Sequence, residues 1–354
     1  MRKVKSDKNR VATLSDVARA ANVSTATVSR CLNLPEQVEE KTRARVMEAV
    51  EALSYSPNFG AKIMAARRTN TVGAVIPTME NSIFARGIQA FQEALNHHGY
   101  TLLVASSSYQ PEVEEEQIKN LIERGAEALL LIGYDRDDRI YRFLDNRGLP
   151  YVLTWVYDEE RAFDEARPHH SIGFDNHTAM EEMAERVIEV GHQHIGAIVG
   201  ETRANDRSRE RLEGIKSAMA RHGLDQHCLK ICEMPYSLES GAEGFEKLMT
   251  AHPELSVVMC GNDVLATGAL MKARAMGMTV PHDISITGFD DIDLAEVVEP
   301  PLTTVHVPHR KMGLNAAEML IDWINKGESP PSQKLETYIC TRGTLDVPRS
   351  APRG

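Results

Sequence analysis

The sequence predicts a small all-α segment at the amino terminus, followed by a larger α/β region of two doubly wound lobes. Residues 13–33 read TLSDVARAANVSTATVSRCLN, a pattern of two short amphipathic helices separated by a tight turn. Beyond Thr69, short apolar runs alternate with helical segments, which is typical of parallel sheets covered by helices. The chain has 354 residues, enough for two or three domains with sizeable cores.

The first of the two short helices begins at a capping signature, because Thr13 is followed three positions later by Asp16. Asn22 tolerates the left-handed backbone of a tight turn, and Ser24 is a suitable N-cap for the second helix. Apolar residues recur at helical spacing at Leu14, Val17, Ala18, Ala21, Val28 and Leu32. A third helix, at about residues 41–53, is expected to close a small core with Val46, Val50 and Leu53. The pattern therefore predicts a helix-turn-helix.

The outer side of the second helix carries short side chains and one arginine. These residues are Thr25, Ala26, Thr27, Ser29 and Arg30. Hydroxyl groups can contact phosphate, and a guanidinium can bind the edge of a guanine through two parallel hydrogen bonds. The residues therefore predict a DNA-reading helix. The alternative is a generic helical hairpin whose polar faces meet only solvent.

Charge is divided unevenly along the chain. The whole protein is acidic, with 40 Lys and Arg against 51 Asp and Glu, which by itself argues against a nucleic-acid partner. Residues 1–69, however, contain 13 basic and 7 acidic residues, a net charge of +6, so the remainder has 27 against 44, a net charge of −17. Attraction to phosphate is therefore concentrated in the amino-terminal segment.

The rest of the chain supplies enough alternating elements for two sheets. The expected strands are residues 72–76, 101–105, 128–132, 151–153, 195–199, 229–233, 257–260 and 284–289. The expected helices between them include residues 85–98, 112–124, 179–190, 208–222, 240–250 and 263–276. These elements are too many for one small sheet and suit two similar lobes.

Composition and motifs disfavour several classes of protein. No apolar run approaches the ~20 residues of a membrane span, and none follows the basic residues 1–10, so a cytoplasmic protein is expected. The five cysteines are scattered, which predicts no disulfide framework. Cys228 and Cys232, near His222 and His227, suggest a metal, but their segment reads as a strand, so core cysteines and no metal are expected. The sequence has no G-x-S-x-G, P-loop or G-x-G-x-x-G motif, and neither an enzyme nor a cofactor is predicted.

Together these features resemble the LacI/GalR family of bacterial transcription regulators along the whole chain. Family members carry a T-x-x-D-V-A-x-x-A-G-V-S-x-x-T-V-S-R-x-L-N headpiece, a Y-x-P-N-x-x-A-x-x-L-x-x-x-R-T hinge helix and a strand of the I-G-V-I-x-P type. These motifs correspond to residues 13–33, 55–69 and 72–77. Two positions depart from the pattern, since Asn22 replaces the usual Gly and Met64 the usual Leu. Both are compatible with it, because Asn accepts the turn conformation and Met is apolar and flexible.

The resemblance implies a second DNA contact through the hinge. Paired hinge helices of a dimer would lie in the minor groove, where an apolar side chain, here Met64, would wedge open a base step. The alternative for Met64 is an ordinary buried position on an amphipathic helix. The expected DNA-contacting residues are Thr13, Ser24, Thr25, Ala26, Thr27, Ser29, Arg30, Asn33, Tyr55, Asn58, Ala61, Lys62 and Met64.

The resemblance also divides the chain into parts. It implies an all-α helix-turn-helix headpiece at residues 1–56, a hinge helix and linker at 57–70, an effector-binding and dimerisation core at 71–345, and a disordered tail at 346–354. The core is expected to have two periplasmic-binding-protein-like lobes, about 71–172 with 301–326 and about 173–300 with 327–345. The chain would cross between them near Gly173, Pro300 and Lys326, leaving a cleft lined by loops at the carboxyl ends of the strands.

Candidate effector-binding residues follow from the positions that match the family. They are Asn81, Ile83, Phe84, Asp175, Asn205, Arg207, Arg211, Tyr236, Asn262 and Asp290. Such a set suits a polyhydroxylated ligand, because paired donors and acceptors bind hydroxyls, an aromatic ring covers one face and Arg pairs with a carboxylate. Plainer roles stay open, since Arg207, Arg209 and Arg211 can form a salt-bridged helix face, and Asn262 and Asp290 can be caps.

The segments LPEQV, SYQPEVEEEQ and GFDN are similar to those of the gluconate-operon repressor branch, which implies a sugar acid such as gluconate as effector. A neutral sugar or a purine is an alternative, and so is either sign of control. The implied protein is a repressor that binds double-stranded operator DNA as a homodimer under allosteric control. A dimer is expected because the carboxyl terminus lacks leucine heptads. A sugar-processing α/β enzyme and a solute-binding protein are the alternatives.

Overall fold

The structure, a computed structural model, describes residues 12–56, 68–80, 82–163 and 168–349. The chain divides into two compact units between Thr69 and Asn70. Among the described helices, none combines the length and the apolar character that crossing a membrane requires.

The amino-terminal unit contains three helices, α1 (Leu14–Ala20), α2 (Thr25–Asn33) and α3 (Glu40–Ala52), with a 3-10 turn at Pro35–Gln37. The predicted cap of α1 is confirmed: the Thr13 amide donates to Asp16 Oδ2 at 3.0 Å, and the Asp16 amide donates to Thr13 Oγ1 at 3.3 Å. Asn22 has the expected left-handed backbone, with φ of 51°. Ser24 caps α2, because its Oγ accepts from the Thr27 amide at 3.1 Å. Two capped helices and a left-handed turn thus form the predicted helix-turn-helix.

The core of this unit differs in one respect from the expected one. Its buried residues are Val17, Ala18, Ala21, Val28, Cys31, Val46, Ala49 and Tyr55. Leu53, which was expected to close the core, is 37% exposed because α3 ends at Ala52 and the chain turns there. Tyr55, only 9% exposed, fills that place instead.

The larger unit contains two parallel sheets and a short ribbon. The first sheet has the order β11-β5-β4-β3-β1-β2, formed by β1 (Thr71–Ile76), β2 (Thr101–Ser106), β3 (Ala128–Ile132), β4 (Tyr151–Thr154), β5 (Ser171–Gly173) and β11 (Gln333–Lys334). The second has the order β7-β6-β8-β9, formed by β6 (Ile195–Val199), β7 (Leu229–Glu233), β8 (Val257–Cys260) and β9 (Ser285–Thr287). β10 (Thr304–His306) and β12 (Tyr338–Cys340) form an antiparallel ribbon. The predicted pair of doubly wound lobes is therefore present.

Helices cover the faces of both sheets, so the central strands are buried throughout. The described helices of this unit are α4 (Ser82–His97), α5 (Pro111–Glu123), α6 (Asp138–Asn146), α7 (Glu159–Ala162), α8 (Asn176–Val190), α9 (Asp206–Arg221), α10 (Leu238–Ala251), α11 (Asp263–Ala275), α12 (Asp293–Val297) and α13 (His309–Lys326). α4 packs against α13, α8 against α9, and α10 against α11. β1 and β3 are buried at every position, as expected of strands covered on both faces.

The last part of the chain departs from the expected boundaries. β11 pairs with β5 in the first sheet, although residues 327–345 were assigned to the second lobe. Thr303 and Val305, assigned to the first lobe, accept backbone hydrogen bonds from Gly288 and Asp290 at the edge of the second sheet. Residues 346–349, expected to be disordered, are in contact with the core, since the Asp346 carbonyl accepts from His192 Nε2 at 2.9 Å. Backbone pairing, which sequence patterns do not report over so few residues, determines these positions.

Candidate functional site

The outer face of α2 presents the predicted DNA-reading residues at the surface. Thr25, Ala26 and Arg30 are exposed, and Thr27 and Ser29 are half-buried. The Thr27 and Ser24 hydroxyl groups lie 2.9 Å apart, so these two side chains form part of the cap. A guanidinium on an exposed helix face is free to enter a major groove.

Other predicted DNA-contacting residues have different positions. Thr13 is exposed and caps α1. Tyr55 lies in the core of the amino-terminal unit, so its ring is not part of the outer face of α2, and Asn33 ends α2. Asn58, Ala61, Lys62 and Met64 lie outside the described residues.

In the larger unit, several polar and aromatic side chains follow the carboxyl ends of the strands. Tyr109 follows β2, Trp155 follows β4, Tyr236 follows β7, Asn262 follows β8 and Asp290 follows β9. In doubly wound sheets this edge, next to the point where strand order reverses, is where ligands bind. The structure therefore places Tyr236, Asn262 and Asp290, which were predicted, and Tyr109 and Trp155, which were not, after the carboxyl ends of strands.

Arg211 and Asp290 form the centre of the predicted site. Both are buried, and Arg211 Nη2 lies 3.7 Å from Asp290 Oδ1. The guanidinium is held in place from three other directions: Nε donates to Asn176 Oδ1 at 2.9 Å, Nη1 donates to the Gly261 carbonyl at 2.5 Å, and the group lies 3.8 Å from the centre of the Phe289 ring. Arg211 is thus a fixed buried cation and not part of a salt-bridged surface of α9.

Asp290 is unusual because both of its buried carboxylate oxygens lack a hydrogen-bond donor. The 3.7 Å approach of Arg211 is a charge contact without hydrogen-bond geometry. Burial raises the pKa of Asp290 to about 7, while the positive charges of Arg211 and Arg207 oppose this rise. A buried carboxylate without donors is costly for the fold, and a ligand that supplies two donors would remove that cost.

The backbone of Asp290 is held by a chain of hydrogen bonds that runs through His309 to Trp155. Its φ of 104° lies in the left-handed region, its amide donates to the Val305 carbonyl, and its carbonyl accepts from His309 Nε2 at 3.1 Å. His309 Nδ1 in turn accepts from Trp155 Nε1 at 3.2 Å. Because the indole only donates and the carbonyl only accepts, His309 must be neutral with its proton on Nε2. Burial lowers the pKa of His309 to about 4, in agreement with this tautomer.

Arg207 extends the positive charge of the site. Its Nη1 donates to Asp206 Oδ1 at 2.7 Å, and the Asp206 carboxylate accepts from the Tyr134 amide at the end of the first sheet. Gly133, with φ of 76°, lies against the Arg207 guanidinium, and a Cβ at position 133 would be 2.0 Å from Arg207 Nη1. Arg207 therefore occupies space that only glycine leaves open.

Tyr236 and Tyr109 face each other beside these arginines. Their ring centres are 5.8 Å apart, and Asn205 Nδ2 donates to the Tyr236 hydroxyl at 3.4 Å. Tyr109 is held there by a backbone with φ of 57°, and burial raises the pKa of its hydroxyl, with the neighbouring Tyr236 acting in the same direction. Sequence reasoning missed Tyr109, although its position shortly after a parallel strand is a usable signal. It also missed Trp155 and His309.

The remaining predicted effector residues have plainer roles. Asp175 caps α8 by accepting from the Thr178 amide at 3.0 Å, and Asn262 caps α11 by accepting from the Leu265 amide at 2.9 Å. The Asn262 Nδ2 group is buried without an acceptor, so the cap uses only half of this side chain. Ile83 and Phe84 are buried, and Phe84 packs edge-on against Trp155 at 5.1 Å between ring centres. Asn81 lies outside the described residues.

Open space lies beside the central cluster. A cavity of about 400 Å³ is lined by residues that follow β3, β4 and β5 and by the first turns of α9. The lining residues are Tyr134, Asp135, Val156, Tyr157, Asp158, Glu159, Glu160, Arg161, Asp175, Asn176, His177, Asp206, Arg209 and Glu210. Of the predicted effector residues, only Asp175 is in this lining. Arg207 and Tyr109 instead line a smaller cavity with Pro77, Ser107 and Glu114. Arg211 and Asp290 line neither of these two cavities; they are packed against each other, so a ligand that binds both would have to separate them.

Comparison with known proteins places both units in one family. Residues 13–58 match bacterial regulatory proteins of the lacI family, and residues 69–340 match the periplasmic binding proteins and sugar binding domain of the LacI family. The HTH-type transcriptional regulator GntR of Escherichia coli (strain K12) is 32% identical over 323 residues, which cover 91% of this chain and 95% of the relative.

Two further relatives agree with this assignment. The HTH-type transcriptional repressor PurR of Aliivibrio salmonicida (strain LFI1238) is 32% identical over 319 residues, covering 89% of this chain and 92% of the relative. The crystal structure of a LacI-family transcriptional regulator from Silicibacter pomeroyi superposes with a TM-score of 0.84 at 26% identity, covering 95% of this chain and 99% of that one.

Proposed function

This chain belongs to the LacI family of bacterial regulatory proteins, and we propose that it represses transcription under the control of a hydroxylated acid bound between its lobes. It is a DNA-binding regulator and not an enzyme. The observation that carries the ligand proposal is Asp290, a buried carboxylate without donors, facing a fixed buried arginine. A ligand that both donates hydrogen bonds and carries negative charge would match this pair.

DNA binding is proposed to use α2 for base readout and the hinge for a minor-groove contact. Arg30 and its neighbours supply the exposed face of α2, within residues 1–69, which have a net charge of +6 although the whole chain is acidic. Headpiece residues 1–56, hinge residues 57–70 and core residues 71–345 remain the proposed division. Met64 is proposed as the wedge, so Met64→Ala should reduce the bend in operator DNA more than it reduces non-specific binding. Equal bending by variant and parent would refute this role.

A sugar acid is proposed over a neutral sugar because the buried Arg211 guanidinium has no hydrogen bond to a carboxylate among the described residues, whereas Arg207 is already paired with Asp206 at 2.7 Å. Hydroxyl groups of the ligand would donate to Asp290, its carboxylate would pair with an arginine, and Tyr236 with Tyr109 would cover its carbon skeleton. Gluconate, a six-carbon sugar acid, is a molecule of this class. We further propose a cytoplasmic homodimer that binds pseudo-palindromic operator DNA, with effector binding changing its operator affinity.

The test begins with selection of bound sequences from a genomic fragment library. Operator affinity is then measured by fluorescence anisotropy at fixed salt, because phosphate contacts make affinity steeply salt-dependent. Gluconate, glucose and hypoxanthine are titrated in separate arms. We expect sequence-specific binding that gluconate changes at lower concentration than the other two compounds.

Variants of the central pair separate the two halves of the proposal. Arg211→Gln and Asp290→Asn are expected to keep operator affinity and to lose the response to ligand, because allosteric coupling needs differential binding to two arrangements. Asp322→Asn, an exposed substitution on α13, is the matched control and should respond as the parent does. Failure to select any preferred sequence would refute the proposal that the chain binds specific operator DNA. A parental response in both cleft variants would refute the cleft assignment.

A further inference from the structure

Asp291, His306 and Cys340 bring three kinds of metal-binding atom together. Asp291 Oδ2 lies 2.7 Å from His306 Nδ1 and 3.5 Å from Cys340 Sγ, and all three ligand atoms lie within 4.8 Å of one another. The residues are 49 positions apart at most, and no motif joins them in the sequence. Sequence reasoning, which searched for closely spaced Cys and His, therefore missed the group.

The β10–β12 ribbon explains how the group forms. Thr304 pairs with Cys340 and His306 pairs with Tyr338, so His306 and Cys340 are diagonal neighbours on one face of the antiparallel ribbon. Asp291 is brought to this face by the bridge between Asp290 and His306. Three separate segments of chain thus meet through backbone pairing.

We propose that Asp291, His306 and Cys340 bind a thiophilic divalent cation of the zinc type, with water as the fourth ligand. A carboxylate oxygen, an imidazole nitrogen and a thiolate sulfur are the three ligand types that zinc accepts, at about 2.0 to 2.3 Å. In a tetrahedron with such bonds the ligand atoms lie roughly 3.2 to 3.7 Å apart. The oxygen–sulfur distance already lies in this range, and the oxygen–nitrogen distance needs only a small increase.

The surroundings of the three residues hold them as metal ligands are commonly held. Arg342 Nη2 donates to Asp291 Oδ1 at 2.7 Å, which leaves Oδ2 for the cation. Tyr338 stacks on His306 with ring centres 4.5 Å apart and an interplanar angle of 20°, so the imidazole is fixed in orientation. In metal sites the ligating carboxylates are commonly hydrogen-bonded to a neighbouring residue, and the ligating imidazoles are commonly held in orientation by one.

Charge and access also suit a divalent cation. A carboxylate and a thiolate balance its two charges, and the Arg342 guanidinium contacts the carboxylate oxygen turned away from the cluster. The His306 side chain is 30% exposed and Cys340 is half-buried, so solvent reaches the group. The competing interpretation is a purely structural network, in which Asp291 pairs with Arg342 and His306 and no metal binds.

Cobalt distinguishes these interpretations, because a cobalt–thiolate bond produces a charge-transfer absorption that oxygen and nitrogen ligands alone do not. The full chain without a histidine tag, kept reduced, is titrated with Co²⁺ alone, and Zn²⁺ is then added. We expect a charge-transfer band that saturates at one Co²⁺ per chain and disappears as Zn²⁺ displaces it. No band, or a band that does not saturate, refutes the proposal.

Three variants locate the site. Cys340→Ser is expected to abolish the band, and His306→Gln is expected to weaken Co²⁺ and Zn²⁺ binding at least ten-fold. Cys232→Ser, which removes another half-buried thiol, is the matched control and should bind both ions as the parent does. A band that survives in Cys340→Ser or vanishes in Cys232→Ser would place the metal elsewhere. The far-ultraviolet circular dichroism of each variant verifies that it is folded, and none of these measurements depends on DNA or effector.

Discussion

Replacing Asp290 with asparagine should change how the stability of the core depends on pH. Burial raises the pKa of this carboxyl from 3.8 to about 7 in the folded protein. Because the folded-state pKa lies above the unfolded-state pKa, the favourable contribution of the protonated group is fully present below about pH 4. It is lost as pH rises through 7. Asparagine cannot ionise, so the variant should not show this loss.

The magnitude follows from the size of the shift. A difference of about 3 pKa units corresponds to roughly 4 kcal/mol between the two protonation states. The free energy of unfolding of Asp290→Asn, relative to the parent, should therefore increase by up to roughly 4 kcal/mol between pH 4 and pH 8. The attraction of Arg211 for the charged form is already included in this shift, because it is one of the causes that oppose the rise in pKa.

The assay is urea unfolding monitored by tryptophan fluorescence at several pH values. Trp155 and Trp323 are the only tryptophans in the sequence, and both lie in the larger unit, so the signal reports on that unit. Asp322→Asn, which removes an exposed carboxylate paired with Lys326 at 2.9 Å, serves as the control without a large pH-dependent difference. A difference between Asp290→Asn and the parent that stays constant across the pH range would refute the argument.

Substitutions at three further positions test other parts of the molecule. Arg30→Ala should cost ~1 to 3 kcal/mol at the selected operator and relax the preference for one guanine, as measured by anisotropy on a set of single-base variants; unchanged affinity and base preference would remove Arg30 from readout. Tyr109→Ala should weaken effector binding at least ten-fold in calorimetry while Tyr109→Phe retains most of it, since the ring packs against Tyr236; equal affinity of the alanine variant would exclude Tyr109 from the site. His309→Phe should lower the free energy of unfolding by ~1 to 3 kcal/mol, because the Trp155 N–H and the Asp290 carbonyl both lose a buried partner; an unchanged urea midpoint would show that neither bond matters.

Local features of the fold were predictable because their causes are local. The cap formed by Thr13 and Asp16, the left-handed Asn22 and the cap at Ser24 each depend on residues within three positions of one another. The central strands were predictable because burial on both faces requires continuous apolar runs. β5, β10, β11 and β12 have only two or three residues, too few for any periodicity, and they exist because a neighbouring strand supplies hydrogen bonds.

The site was predictable in part for the same reason. The resemblance pointed to Arg211 and Asp290, which the structure brings within 3.7 Å. It also pointed to Asp175 and Asn262, whose side chains form helix caps here. His309 was not predictable, because its role depends on two partners that are 154 and 19 residues away in the sequence. Contacts of that kind become visible only when both sheets are assembled.

We infer from the contacts of Asp290 how a ligand bound in the proposed site would act on both lobes. Its carboxylate faces Arg211 on α9, while its carbonyl is bound by His309 at the start of α13, which packs against α4 in the first lobe. A ligand that donates to the carboxylate would satisfy oxygens that have no donor without it, and it would also push Arg211 away from its 3.7 Å approach. Because His309, itself bound by Trp155, holds the carbonyl of the same residue, we expect such a shift to reach the first lobe. In the proposed site, a ligand that satisfies this buried carboxylate in only one of two lobe arrangements would supply the difference in affinity that allosteric control requires.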